Sequence, residues 1–166
     1  MKIGIVWENG VSKWMSQMFE PLMDIPVVDI NVFVGERNKF DVKDVSLKKR
    51  NLTHREEILR GLYSLVSFSG HTGKKPYRRM HFYLNSLDKH LKGYDIVECH
   101  DSSRSLYTLA ELKRRKGFKL VVSYAENIPY RQVFDDKTNY IKKSTYEMVD
   151  HFIPWCDTIK NVLLLE

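Results

Sequence analysis

The sequence predicts an α/β fold, a Rossmann-like doubly wound parallel sheet with helices on both faces. Three observations carry this. Short apolar runs of strand length alternate with segments of helical periodicity along the whole chain. The opening run, Lys2-Ile3-Gly4-Ile5-Val6-Trp7, is apolar after its first lysine, as a strand covered on both faces must be. Right-handed crossovers then favour a doubly wound topology, with strand order 3-2-1-4-5-6.

Lys2 to Trp7 reads as the first strand, followed by a turn at Glu8-Asn9-Gly10. Val11, Trp14, Met15, Met18 and Leu22 recur at helical spacing, with Pro21 marking the helix end. Val27 to Val34 is the second strand, Gly35 to Lys39 a loop, and the weak alternation from Asp41 to Leu47 the third strand. Thr53-x-x-Glu56 forms a capping box ahead of the stripe Ile58, Leu59, Leu62, Leu65 and Val66. After a Gly/Ser/Lys-rich loop, Pro76 opens a helix whose apolar face is Met80, Tyr83, Leu84, Leu87 and Leu91, with Gly93 as its stop. Tyr94 to Cys99 is the fourth strand. Asp101 or Ser103 caps the next helix, which carries Leu106, Leu109 and Ala110. Its last turn holds Lys113, Arg114, Arg115 and Lys116, where the helix dipole favours cations, and Gly117 ends it. Phe118 to Tyr124 is the fifth strand, Ile141, Thr145 and Met148 mark a helix, His151 to Trp155 is the sixth strand, and Asp157 caps a helix with Ile159, Val162 and Leu163.

At 166 residues the chain fits one domain, able to bury roughly two-thirds of its unfolded surface. Its 43% hydrophobic and 29% charged residues exclude disorder, and a net charge of +6 permits an anionic partner without requiring one. Basic residues are scattered rather than striped, which argues against nucleic acid. Cys99 and Cys156 lack metal-ligand spacing and sit beside apolar runs, so both are expected to be buried free thiols in a reducing cytoplasm. No metal site is expected, and no apolar stretch approaches the roughly 20 residues of a membrane span.

In a doubly wound sheet, ligands bind beyond the carboxyl ends of the strands where strand order reverses. For this order the crevice lies between strands one and four. It gathers Glu8, Asn9 and Gly10 with His100, Asp101, Ser102 and Ser103, and strand five brings Glu126 and Asn127 to the same rim. Each has a structural alternative: His100 and Asp101 as helix caps, Glu8 as a surface acid, Gly10 as a turn glycine. Glu126 is the sharpest catalytic candidate, because a carboxylate at a strand end inside a crevice needs a partner. Arg131 can be that partner, in which case the pair can equally be a structural tie. Lys74, Lys75, Arg78 and Arg79, beside Tyr77 and Phe82, suit an anionic membrane surface or a phosphate-bearing acceptor, or form an ordinary solvated segment. G-x-G-x-x-G, Walker and G-x-S-x-G motifs are absent.

The opening KIGIVW, the run YDIVECHDSS, the run LVVSYAENIPYR and the tail MVDHFIPWCDTIKNVLLLE, in this order, resemble the N-terminal domain of group 1 (family 4) glycosyltransferases of GT-B fold. The resemblance implies that residues 1–166 form a single acceptor-side Rossmann-like domain facing a donor-binding domain in cis. It implies metal-independent sugar transfer with retention, from a nucleotide-sugar donor to a sugar, lipid-linked or other acceptor. It further implies no cofactor within this domain, little activity from it alone, and a cytoplasmic enzyme, peripheral at the inner face of the membrane if the basic segment meets lipid. By the same resemblance the Gly10 loop lines the cleft, and His100 and Asp101 are the polar pair after strand four. Many members carry a histidine after strand five; this sequence has Tyr124-Ala125-Glu126-Asn127 there. The chain ends at Glu166 inside an apolar helix without a cap, which reads as a cut end. The alternative function is a stand-alone α/β ligand-binding or signalling domain without catalysis.

Overall fold

The computed structural model describes residues 1–7, 11–35, 47–52, 87–100, 105–125 and 145–165. They form a six-stranded sheet in the order β3-β2-β1-β4-β5-β6, with every pairing parallel. The strands are β1 (Lys2–Val6), β2 (Asp29–Gly35), β3 (Lys48–Leu52), β4 (Ile96–His100), β5 (Lys119–Tyr124) and β6 (His151–Pro154). The helical segments are α1 (Lys13–Ser16), α2 (Glu20–Met23), α3 (Leu87–His90), α4 (Leu106–Lys116) and α5 (Asp157–Leu165). This is the doubly wound arrangement expected from the sequence.

Helical segments cover both faces. On one, Val6, Phe33, Val97, Cys99, Leu120 and Val122 pack with Leu87, Leu91, Leu106, Leu109 and Leu112. On the other, Ile3, Ile5, Trp7, Ile30, Val32 and Val34 pack with Val11, Met15 and Phe19. A smaller cluster joins Tyr124 to Ile159 and Val162 of α5, flanked by Tyr146 and Phe152. Gly4 lies where β1 meets the first of these layers. A Cβ there would meet Leu91 Cδ2 at 3.2 Å, Tyr94 Cδ1 at 3.2 Å and Phe33 Cε2 at 3.3 Å. Its bare backbone lets the Phe33 and Tyr94 rings pack edge to face, with centroids 5.7 Å apart.

Two aspartates tie down the amino edge of the sheet. Asp95 Oδ2 accepts the Lys2 N–H at 2.7 Å, while its own N–H donates to Lys2 O at 3.0 Å and its carbonyl accepts from Lys119 N at 2.8 Å. Asp150 repeats the device one strand pair along: Oδ2 accepts the Leu120 N–H at 2.8 Å, and its N–H donates to Leu120 O at 2.9 Å. Lys113 Nζ lies 2.6 Å from Asp150 Oδ2, and Lys119 Nζ 3.2 Å from Oδ1. Burial raises the Asp150 pKa, but Lys113, the Leu120 N–H and Lys119 outweigh it and hold the carboxyl below its usual range.

Several sequence expectations are corrected. The stripe after β1 is two short helices rather than one, and Pro21 sits in the first turn of α2 instead of ending a helix. The strand beside β2 is the polar run Lys48–Leu52, while residues 41–46 of the segment expected as the third strand lie outside the described residues. As an edge strand it tolerates charges that a central one would not. Helix α4 starts at Leu106 behind Ser105, not directly after Asp101 or Ser103, and ends at Gly117 with φ +78° as expected. Neither cysteine is in a disulfide, but Cys156 is exposed, because it follows the edge strand β6; only Cys99 is in the core. The expected capping box at Thr53 lies outside the described residues. Among those described, no helix is long and apolar enough to cross a membrane.

The Gly4 contacts give a direct test. Gly4→Val should cost on the order of 1–3 kcal/mol through overpacking and lower the melting temperature, with Gly4→Ala intermediate. A valine variant that melts with wild type would show that this layer is loose.

Candidate functional site

Strand alternation sorts the carboxyl half of the sheet by face. Val97 and Cys99 point into the layer covered by α4, and Ile96 packs in the opposite layer with Ile3, Ile5 and Trp7. Glu98 and His100, at even spacing from Ile96, therefore stand on that second face. On β5, Leu120 and Val122 belong to the first layer, so Val121 and Ser123 share the face of Glu98.

The register then sets the neighbours. Ile5, Glu98, Val121 and His151 form one row across β1, β4, β5 and β6. One step nearer the carboxyl edge, His100, Ser123 and Ile153 form the next row. Trp7 extends that row on the β1 side, its N–H donating to Phe33 O at 3.0 Å. Trp155 follows β6, its N–H donating to Tyr124 O at 3.2 Å, and its ring meets His100 edge to face with centroids 5.3 Å apart.

Glu98 is the unusual member. Its residue is 3% exposed, in a strand whose other interior residues are apolar. Both carboxyl oxygens, the Trp7 indole Nε1 and the Ser123 hydroxyl are buried without a hydrogen-bond partner in the structure. Burial pushes the Glu98 pKa up to about 7; Ser123, Trp7 and His100 lie near enough to offset this only in part, without closing a hydrogen bond to the carboxyl oxygens. A carboxyl with a pKa near 7 can change its protonation state under ordinary conditions. Four orphaned polar atoms in so small a volume are expensive for a domain to keep, and such concentrations mark function more often than packing.

Of the residues singled out in the sequence, His100 is described and stands at the expected edge. Glu8, Asn9, Gly10, Asp101, Ser102, Ser103, Glu126, Asn127 and Arg131 lie outside the described residues, as do Lys74, Lys75, Arg78 and Arg79. β1, β4 and β5 are parallel neighbours, so their carboxyl ends, at Val6, His100 and Tyr124, share one edge of the sheet. Sequence reasoning missed Glu98, Trp7, Ser123 and Trp155. The available signal was a lone carboxylate inside the apolar run Ile96–Cys99, where an unpaired charge is costly. Among the described residues no group of three or more His, Cys, Asp or Glu side chains could hold a metal ion.

No protein-family model matches the sequence, and no curated protein is significantly similar to it. Solved structures are similar in fold. The UDP-GlcNAc 2-epimerase from Methanocaldococcus jannaschii matches 99% of this chain with a TM-score of 0.59 at 12% identity. The putative UDP-N-acetylglucosamine 2-epimerase from Listeria monocytogenes matches 99% with a TM-score of 0.54 at 14% identity. The chain spans 42% of the length of each. At these identities the likeness establishes a shared Rossmann-like fold.

The raised Glu98 pKa makes a signed prediction. The folded state binds this proton more tightly than the unfolded chain. The carboxyl's contribution to stability is therefore complete below about 4.5 and is lost as pH rises through about 7. The loss is on the order of 3 kcal/mol at pH 8. Glu98→Gln, which keeps the neutral shape, should melt close to wild type at pH 5 and several degrees above it at pH 8. An equal difference at both pH values would mean that Glu98 is ionised in the fold throughout this range.

Proposed function

We propose that this chain is the acceptor-side Rossmann-like unit of a two-domain, GT-B-type enzyme that transfers a sugar from a nucleotide-sugar donor to an acceptor with retention. The observation that carries the reading is the polar cluster at the carboxyl edge beside the β1–β4 switch point, where an open α/β sheet binds its ligands. The sequence resemblance to group 1 glycosyltransferases supplies the reaction class. The match of nearly the whole chain to 42% of two larger nucleotide-sugar enzymes is consistent with one half of such an architecture.

The chemistry asks for two things. The acceptor hydroxyl must sit beside the anomeric carbon, and the departing diphosphate must be stabilised. This chain has no Gly-rich phosphate cradle in its sequence, so its residues serve the first task. Aromatic rings such as Trp155 offer a flat surface for a sugar ring, and for proton transfer the reading assigns His100, at this edge, and Glu126, on the sequence alone. A second reading, interconversion of the nucleotide sugar with no acceptor, is favoured by the names of the two similar structures.

The readings separate by product. Full-length protein incubated with UDP- and GDP-sugars should release nucleoside diphosphate in proportion to acceptor. His100→Ala or Glu126→Gln should reduce that release on the order of 100-fold without loss of fold. A new epimeric nucleotide sugar formed without acceptor would replace the transfer reading with the second one. Turnover of neither kind would reject both.

A further inference from the structure

We propose that the amino edge of the sheet is a docking face for an anionic lipid bilayer, which the protein meets with a small apolar cluster flanked by uncompensated cations. This surface lies at the opposite end of the strands from the β1–β4 crevice, and the proposal does not rest on the sugar-transfer reading.

The topology brings the two kinds of residue together. All six strands are parallel, so their first residues share one edge. Met1 precedes β1, and Ile25 and Val27 precede β2; they are 53%, 42% and 73% exposed. Met1 N lies 2.7 Å from Val27 O, and Val28 N donates to Ile25 O at 2.9 Å, which keeps the three segments side by side. A single exposed apolar residue needs no explanation, whereas three held together form a patch.

The cations reach the same edge from the other side of the sheet. Helix α4 ends here with Lys113, Arg114, Arg115 and Lys116, and β5 starts at Lys119. Lys2 of β1 and Lys92, ahead of β4, continue the run toward Met1. Lys2, Lys92, Arg115 and Lys116 are exposed, and among the described residues none of them has a carboxylate partner. The carboxylates at this edge are largely engaged. Asp29 pairs with Lys48 at 3.5 Å, Asp95 accepts the Lys2 N–H, and Asp150 is outnumbered by Lys113 and Lys119. Glu111 lies 4.0 Å from Arg114, and Asp88 and Lys89 are neighbours on α3. Asp24 and Glu147 remain exposed, so positive charge is in excess. The helix dipole accounts for the cations in the last turn of α4. It does not account for Lys2, Lys92 or the exposed Val27.

A bilayer fits this combination better than a soluble polyanion. The edge spans five strand spacings, roughly 24 Å, so its charges are spread across a surface rather than gathered at one point. Cations alone would suit the phosphates of a nucleic acid, but Met1, Ile25 and Val27 would then face a charged backbone. At a membrane these side chains enter the headgroup region, while the long stems of lysine and arginine let their charges stay at the level of the phosphates.

The test is partition of the protein onto vesicles of phosphatidylglycerol and phosphatidylcholine in equal parts, against vesicles of phosphatidylcholine alone. Binding should need the anionic lipid and fall as salt is raised. Lys92→Ser, Arg115→Ser and Lys116→Ser together should weaken it on the order of 100-fold. Ile25→Ser with Val27→Ser, which leaves the charge unchanged, should weaken it roughly tenfold. All five positions are exposed, so both variants should melt with wild type. Hydrogen exchange with vesicles present locates the face without any substitution: protection should rise in residues 24–28 and 114–119 and stay unchanged at His100 and Trp155. Equal binding to both kinds of vesicle, no binding to either, or protection at the carboxyl edge instead overturns the proposal. So does a loss of binding on replacing Lys74, Lys75, Arg78 and Arg79 by serine that the amino-edge variants do not reproduce. Salt-sensitive retention on heparin without partition onto vesicles would give the face to a soluble polyanion and overturn it equally. None of these results depends on whether the protein transfers sugar.

Discussion

The pairing of β1 with β4 determines where every other feature lies. Ile3, Gly4, Ile5 and Val6 face Ile96, Val97, Glu98 and Cys99 in register. From β1 the chain builds outward through β2 and β3 on one side, and from β4 through β5 and β6 on the other. Crossovers leaving in opposite directions cannot cover the carboxyl end between the two strands, so a crevice is a geometric consequence of the order. A one-residue slip of β4 would turn Glu98 into the apolar layer under α4 and send Cys99 to the crevice face. Register, not local chemistry, therefore places the carboxyl beside Trp7, Ser123 and His100.

The two edges of the sheet are built differently. At the amino edge, Asp95 binds the first N–H of β1 and Asp150 the second of β5, and the lysines around Asp150 complete its pairing. Toward the carboxyl edge the Glu98 carboxyl, the Trp7 indole N–H and the Ser123 hydroxyl are buried and lack such ties. A valine or leucine at position 98 would suit a strand covered on both faces and would remove the cost of burying a carboxyl. For a domain whose whole stability is of the order of 5–15 kcal/mol, retaining a group that withdraws about 3 of them near pH 8 is a substantial concession. It is understandable if proton exchange at this position is what the domain provides.

The layer architecture and the strand order were legible in the sequence because they rest on long-range patterning, the alternation of apolar runs with helical stripes. Local details were less so. The Val11–Leu22 stripe has helical spacing, yet the backbone turns between Ser16 and Glu20, and Pro21 opens the second segment, a role periodicity cannot distinguish from a stop. The polar β3 escaped because edge pairing needs little hydrophobicity. At the site, His100 was readable from its place after an apolar run. Glu98 was absorbed into that same run, since the pattern that identifies a strand does not show which face is left without a partner. Trp7 and Trp155 read simply as strand-terminal aromatics, and only the observed register shows that they stand on the same face.

The central claim is that the crevice beside β1 and β4, on the face of Glu98 and His100, is where this domain meets sugar. Chemical-shift mapping with millimolar UDP-GlcNAc or a simple glycoside measures this most directly, since it detects weak binding and locates it. The account predicts the largest changes at the indole N–H groups of Trp7 and Trp155 and at the backbone amides of His100 and Ser123. Changes centred instead on α1 and α2, on the amino edge around Asp95 and Asp150, or on the opposite layer at Leu106 and Leu109 would contradict it.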